Sequence, residues 1–125
     1  MLDYARQRAI GALGTPQIAV LVTSGPAGVQ ASEFRCEAIE LDIYLLVPQT
    51  SDHLFNLEHD STITLLTVGC EIKGKAQIIS RGTPDLELDL LRESGAEWCV
   101  LVRVKPSQVQ IRSERGWGNL ETIDL

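Results

Sequence analysis

The chain has 125 residues, 44% of them hydrophobic, and a formal net charge of −6. That length and apolar content specify one domain, residues 1–125, able to bury a core without metal or disulfide staples, and the acidic balance excludes nucleic acid and anionic membrane surfaces as main partners, because both repel it. The N-terminus lacks the basic-then-apolar pattern of a signal peptide, no apolar run reaches membrane-spanning length, and Cys36, Cys70 and Cys99 form no closely spaced pair, so a soluble cytoplasmic protein with reduced thiols is expected.

Apolar residues at Leu2, Ala5, Ala9, Ile10 and Leu13, with Arg6, Gln7 and Arg8 between them, predict an N-terminal helix closed by Gly14. Ile18 to Thr23 is a β-branched run, Ser24-Gly25-Pro26-Ala27-Gly28 is dense in turn formers, and Val29 to Arg35 alternates, which predicts a hairpin. Leu41 to Val47 is nearly all apolar, as in a strand covered on both faces. Pro48 stops it, because proline cannot extend a ladder. Thr50 or Ser51 then caps a helix that runs to about His59, with Leu54 and Leu57 on one face.

Asp60-Ser61 breaks that helix, and Thr62 to Val68 is β-branched enough for a strand. Gly69 allows a tight connection into a further strand from Cys70 to Ser80. Ile72, Gly74, Ala76, Ile78 and Ser80 share one face of it, where the small residues mark a close approach, and Lys73, Lys75, Gln77 and Ile79 share the other. Thr83 and Pro84 open a short leucine-rich helix expected to cover an open end of the sheet. Trp98 to Val104 reads as the last long strand, stopped by Lys105-Pro106-Ser107, with Val109 to Arg112 as a short continuation; the tail around Trp117 has little to pack with locally. Hairpins, rather than alternating strands and helices, indicate an antiparallel barrel of about six strands with helical plugs, not a doubly wound parallel sheet.

The sequence contains no nucleophile elbow, dinucleotide fingerprint or P-loop, and His53 and His59 have no companion at metal-ligand spacing, so no metal site is expected. Asp85, Glu87 and Asp89 are spaced as a solvated helix face. What remains is the helix start at Thr50-Ser51, where hydroxyls, first-turn N–H groups and the positive end of the helix dipole suit an anion. Arg35, His53, Lys73 and Lys75 are the candidate cations. A capped surface helix beside ordinary surface charge accounts for the same residues. Trp117, between glycines, is either a free tail or an aromatic anchor for a partner subunit or a planar ligand.

Three segments taken together, Thr50-Ser51-Asp52-His53-Leu54-Phe55-Asn56-Leu57, Asp60-Ser61-Thr62-Ile63-Thr64-Leu65 and Ile72-Lys73-Gly74-Lys75-Ala76, resemble the pyridoxamine 5′-phosphate oxidase-like, FMN-binding split-barrel family. The order of elements agrees over roughly residues 12–111. The resemblance implies a mainly β fold, a six-stranded antiparallel split β-barrel with short helices, and a homodimer with FMN at the subunit interface. It implies a phosphate held by Thr50 and Ser51, with His53 where a lysine is usual, and a ring bordered by Val47, Pro48 and Gln49. Glu33, Phe34 and Arg35 then line the adjacent strand, Lys73 and Lys75 face the cofactor, and Trp117 reaches the other subunit's site.

Asp52 stands where the family usually has arginine, and the C-terminal arginine and histidine motif of the vitamin B6 oxidase is absent from Arg112 to Leu125, so pyridoxamine phosphate oxidation is not expected. The implied activity is that of a flavin-dependent oxidoreductase or reductase of unspecified substrate, in which the flavin carries the redox chemistry and no catalytic side chain is named. The residues at 52 and 53 keep a second class open: a flavin-free dimeric binding or scaffold protein of the same fold, or a binder of another planar ligand such as haem or a deazaflavin.

Overall fold

The β-branched and aliphatic runs become strands, and the turn formers between them fold those strands into hairpins. The computed structural model describes residues 17–79, 88–92, 95–112 and 120–125, with Tyr4, Gln7 and Gly11 as single helical positions. In chain order these form β1 (Gln17–Thr23), β2 (Gln30–Ile39), β3 (Asp42–Pro48), helix α1 (Asp52–His59), β4 (Thr62–Thr67), β5 (Cys70–Ile79), β6 (Cys99–Arg112) and β7 (Leu120–Asp124). Short 3-10 turns at Asp89–Arg92 and Ala96–Trp98 precede β6.

Neighbouring strands run β3-β2-β1-β4-β5-β6-β7, every pair antiparallel, and β3 also pairs with β6 from Ile43↔Val104 to Pro48↔Cys99. That last pairing closes the first six strands into the antiparallel barrel expected from the sequence. β6 is 14 residues long and has three partners: β5 runs along one edge, and on the other its first half seals the barrel against β3 while Gln108 to Arg112 pair with β7. Side chains on the inner faces fill the interior: Leu21, Leu45, Val47, Leu65, Ile72, Val102, Val104 and Val109 are fully buried. At about 25 cal/mol per Å² of apolar surface, this packing is the main force closing the barrel.

The close approach expected on β5 falls at Gly74. A Cβ there would run into the Lys105 carbonyl and lie 2.9 Å from the Pro106 Cα, and the β5–β6 register shifts at Lys73/Gly74. This bulge is why Lys105-Pro106-Ser107 does not end the strand, contrary to the sequence reading: a proline without an N–H is tolerated where the ladder is already irregular. The tail around Trp117 lies outside the described residues, but a strand that the sequence reading did not name follows it. Leu120–Asp124 forms β7, and Ile123 is buried opposite Val109. Leu88 and Leu90 pack with Tyr44, Leu46 and Leu101 on the outer side of β3 and β6, so they cover a sheet face rather than an open end. The start of their expected helix at Thr83-Pro84, and most of the one expected over residues 2–13, lie outside the described residues.

Candidate functional site

Pairing between β2 and β3 is short, running only from Ile39↔Asp42 to Cys36↔Leu45. Beyond it, β2 from Gln30 to Arg35 pairs with β1, and β3 from Leu46 to Pro48 pairs with β6, but the two do not pair with each other. The barrel is split there. Glu33, Phe34 and Arg35 stand on one lip, Val47, Pro48 and Gln49 on the other, and Thr50 and Ser51 at the end of the second lip. Local chemistry sets the divergence: Ser51 N–H donates to the Pro48 carbonyl at 2.9 Å, which turns the chain out of β3 and into α1.

Ser51 is the N-cap of α1, in extended conformation (φ −72°, ψ 138°). Its Oγ accepts from His53 N–H at 3.2 Å and its carbonyl from Leu54 N–H at 3.2 Å. The first-turn donors that the sequence reading aimed at an anion are therefore largely used within the cap. The Ser51 hydroxyl proton remains available to donate outward, and Thr50 beside it is exposed.

His53 does not sit in an exposed turn as a lysine substitute. It is buried, with Nδ1 2.8 Å from Thr23 Oγ1 on β1 and Nε2 3.0 Å from Ser32 Oγ on β2, and the Phe34 ring lies edge-on at 5.5 Å. Burial holds its imidazole below the usual range, and the Asp52 carboxylate opposes that shift without overcoming it. A neutral ring that accepts a hydrogen bond from the Thr23 hydroxyl at Nδ1 and donates one from Nε2–H to the Ser32 hydroxyl satisfies both contacts. One turn on, Asn56 is completely buried: Oδ1 accepts from Ala27 N–H at 2.9 Å, and Nδ2 donates to the Gly28 carbonyl at 2.9 Å and to Thr23 Oγ1 at 3.2 Å. His53 and Asn56 thus lock α1 to the tip of the β1–β2 hairpin and fix the lip it borders. The sequence reading gave Asn56 no role; its signal was the three-residue spacing from His53 on one helix face.

Lys73 and Lys75 lie on the outer face of β5, opposite Thr64 and Thr62 of β4 and beside Gln108 and Lys105 of β6. Since β6 stands between β5 and β3, one chain does not bring these lysines to the Thr50-Ser51 turn. Neither has an ion-pair partner in the described structure. Trp117 lies outside the described residues. A different aromatic flanks the turn: Trp98 accepts from Gln49 N–H at 3.1 Å through its carbonyl, and its side chain is exposed. It reads in the sequence only as the first residue of a strand. Among the described residues no group of three or more His, Cys, Asp or Glu is placed to hold a metal, and no helix is long and apolar enough to cross a membrane.

No protein-family model and no curated protein matches the sequence. Solved structures match it in fold. General Stress Protein 26 from Bacillus anthracis superposes with a TM-score of 0.73 at 15% identity, over 98% of this chain and 99% of its own. A Listeria innocua protein named for pyridoxamine 5′-phosphate oxidase gives 0.64 at 15% identity, over 85% and 96% of the two chains. An FAD-binding protein from Mesorhizobium loti gives 0.65 at 9% identity, over 82% and 90%. The architecture of this chain is accordingly the split barrel of the pyridoxamine 5′-phosphate oxidase-like proteins, the fold that its turn and strand segments resemble.

Proposed function

We propose that the chain binds FMN at the β2–β3 split, in a homodimer that works in the cytoplasm as a flavin-dependent oxidoreductase. The observation that carries this reading is the split itself: two strand edges that do not pair with each other, ending in the exposed Thr50 and the half-buried cap residue Ser51. Strand edges of this kind carry backbone N–H and C=O groups able to bond the polar rim of a planar ring. Val47 to Gln49 border the ring on one lip and Glu33 to Arg35 on the other. The donor set at the turn suits a phosphate through neutral hydroxyls, with Arg35 on the β2 lip as the candidate cation. Lys73 and Lys75 join the site from the second copy, which accounts for their unpaired state on an outer face. His53 supports the site by holding α1 against the hairpin rather than by touching the phosphate. FMN, when bound, supplies the electron-transfer chemistry.

Purified protein mixed with FMN and desalted should keep a yellow absorbance near one flavin per chain, and colourless protein would overturn the reading. Replacing Thr50 with Val and Ser51 with Gly removes both hydroxyls while glycine keeps most of the cap, so FMN affinity should fall about tenfold or more with little loss of stability. Unchanged affinity would move the phosphate elsewhere.

A further inference from the structure

We propose that Ser32 is a ligand-binding residue of the β2–β3 split, a hydroxyl that the buried His53 sets to donate toward an acceptor atom of the bound molecule, an assignment that rests on the flavin reading above. Ser32 belongs to the stretch of β2 that has no β3 partner. It is in register with the fully buried Leu21 of β1, so its side chain lies on the inner face of the sheet. There β1 stands on one side of it, and Nε2 of His53, from the first turn of α1, meets its Oγ at 3.0 Å. On the other side lies the split, with no strand between, and Ser32 is only half-buried.

The direction of each hydrogen bond leading to Ser32 follows from the donors available. Asn56 Oδ1 accepts from Ala27 N–H and Nδ2 donates to the Gly28 carbonyl, which fixes the orientation of the amide. Nδ2 also reaches Thr23 Oγ1 at 3.2 Å, so that oxygen accepts. Thr23 is 1% exposed, and its own proton has one other described partner, Nδ1 of His53 at 2.8 Å. Were Nδ1 protonated instead, Thr23 would face two donors and hold a buried proton with no acceptor, the costlier arrangement. Nδ1 therefore accepts, and Nε2–H donates to Ser32 Oγ. The same tautomer rules out His53 as a base for Ser32, so the pair is not a nucleophile with its activator. Ser32 keeps its own proton, and no other partner of its hydroxyl stands among the described residues. With the lone pair on the α1 side filled, that proton is directed to the open side. A flavin ring presents carbonyl oxygens and unprotonated nitrogens on its polar rim, and these are acceptors. A ligand offering only donors there would meet the wrong end of the hydroxyl.

Two measurements test this. The first needs no ligand: NMR of the imidazole nitrogens at neutral pH should show His53 protonated at Nε2 and bare at Nδ1, and the opposite tautomer overturns the proposal. The second is FMN titration of the native chain, Ser32→Ala and Ser32→Thr, with vibrational spectra of the bound flavin. Ser32→Ala should bind FMN about twofold to tenfold more weakly, the range for one neutral hydrogen bond. At least one flavin band that responds to hydrogen bonding, a carbonyl or ring-nitrogen stretch, should shift in that variant. Ser32→Thr keeps the hydroxyl and should restore the native band. Should Ser32→Ala fail to fold, Ser32→Cys, which keeps the volume but donates only weakly, is read in its place. Identical flavin bands with and without the hydroxyl take Ser32 out of the site and leave the flavin reading standing. Failure of the native chain to bind FMN overturns both.

Discussion

Gly25 and Asn56 meet with no room for another atom: a Cβ on Gly25 would stand 2.8 Å from Asn56 Oδ1 and 3.1 Å from the Asn56 Cα. The Asn56 side chain cannot swing away without giving up its bonds to Ala27, Gly28 and Thr23. Gly25→Ala should therefore cost about 1–3 kcal/mol, the range for overpacking a filled site. Asn56→Ala should cost about 2–3 kcal/mol, because it leaves the Ala27 N–H and the Gly28 carbonyl without their partner. Urea unfolding measures both, and a loss below about 0.5 kcal/mol in either would mean that the hairpin tip contributes little to holding α1.

Acid should weaken the same contact through His53. An unfolded histidine titrates near about pH 6.5, whereas burial holds the native ring lower, against the opposing effect of Asp52. Below about pH 6.5 the unfolded chain binds a proton that the native chain does not, so this contribution to stability is fully present above that pH and is lost as pH falls toward the lowered native value. The urea midpoint should decline through this window. His53→Gln should flatten the decline, and Asp52→Asn, by removing the charge that favours protonation, should carry it to lower pH. The same slope in His53→Gln would assign the effect to other groups.

Lys75 and Lys105 are direct cross-strand partners on the outer face of β5 and β6. Like charges in that position oppose pairing by roughly 0.2–1 kcal/mol. Lys75→Gln should thus raise stability by a few tenths of a kcal/mol at low salt, and by less as salt screens the pair. If Lys75 reaches a phosphate on a second copy, the same variant should bind FMN more weakly and with a shallower salt dependence. Higher stability with unchanged FMN affinity would take Lys75 out of the site.

Gly74→Ala should be among the most damaging single-methyl additions. Its new Cβ meets backbone at Lys105 and Pro106 rather than a movable side chain, so β5 and β6 must part where both strands already shift register. A cost of about 2–3 kcal/mol is expected, read from thermal or urea unfolding. A neutral result would mean that the bulge can slide.

Much of this was legible along the chain because it was local. The apolar run into β3, Pro48 as its end, Ser51 as a cap and the small residues of β5 all act within a few positions of themselves. What the sequence did not show depends on distant partners. His53 turns inward because hydroxyls at Thr23 and Ser32, 30 and 21 residues away, receive its ring. Pro106 reads as a strand breaker until Gly74 is placed across from it. β7 exists because the end of β6 reaches past the barrel and offers an edge. Among the candidate site residues, those of β2 and β3 flank one gap in the sheet, whereas Lys73 and Lys75 lie on the outer face of β5, two strands from β3.

The closing pair of the barrel, β3 with β6, joins residues such as Ile43 and Val104 that lie far apart in the chain, while each hairpin joins near neighbours. Local pairings form early and long loops close late, since their entropy must be lost before any contact compensates. β3 therefore acquires its second neighbour at the end of folding. The lip at Val47 to Gln49, and the bond from Gln49 to Trp98, take shape only in that final step. A chain caught before closure can carry its hairpins without this lip, so if the proposed FMN site is right, flavin binding during refolding should appear only with the barrel's last seam.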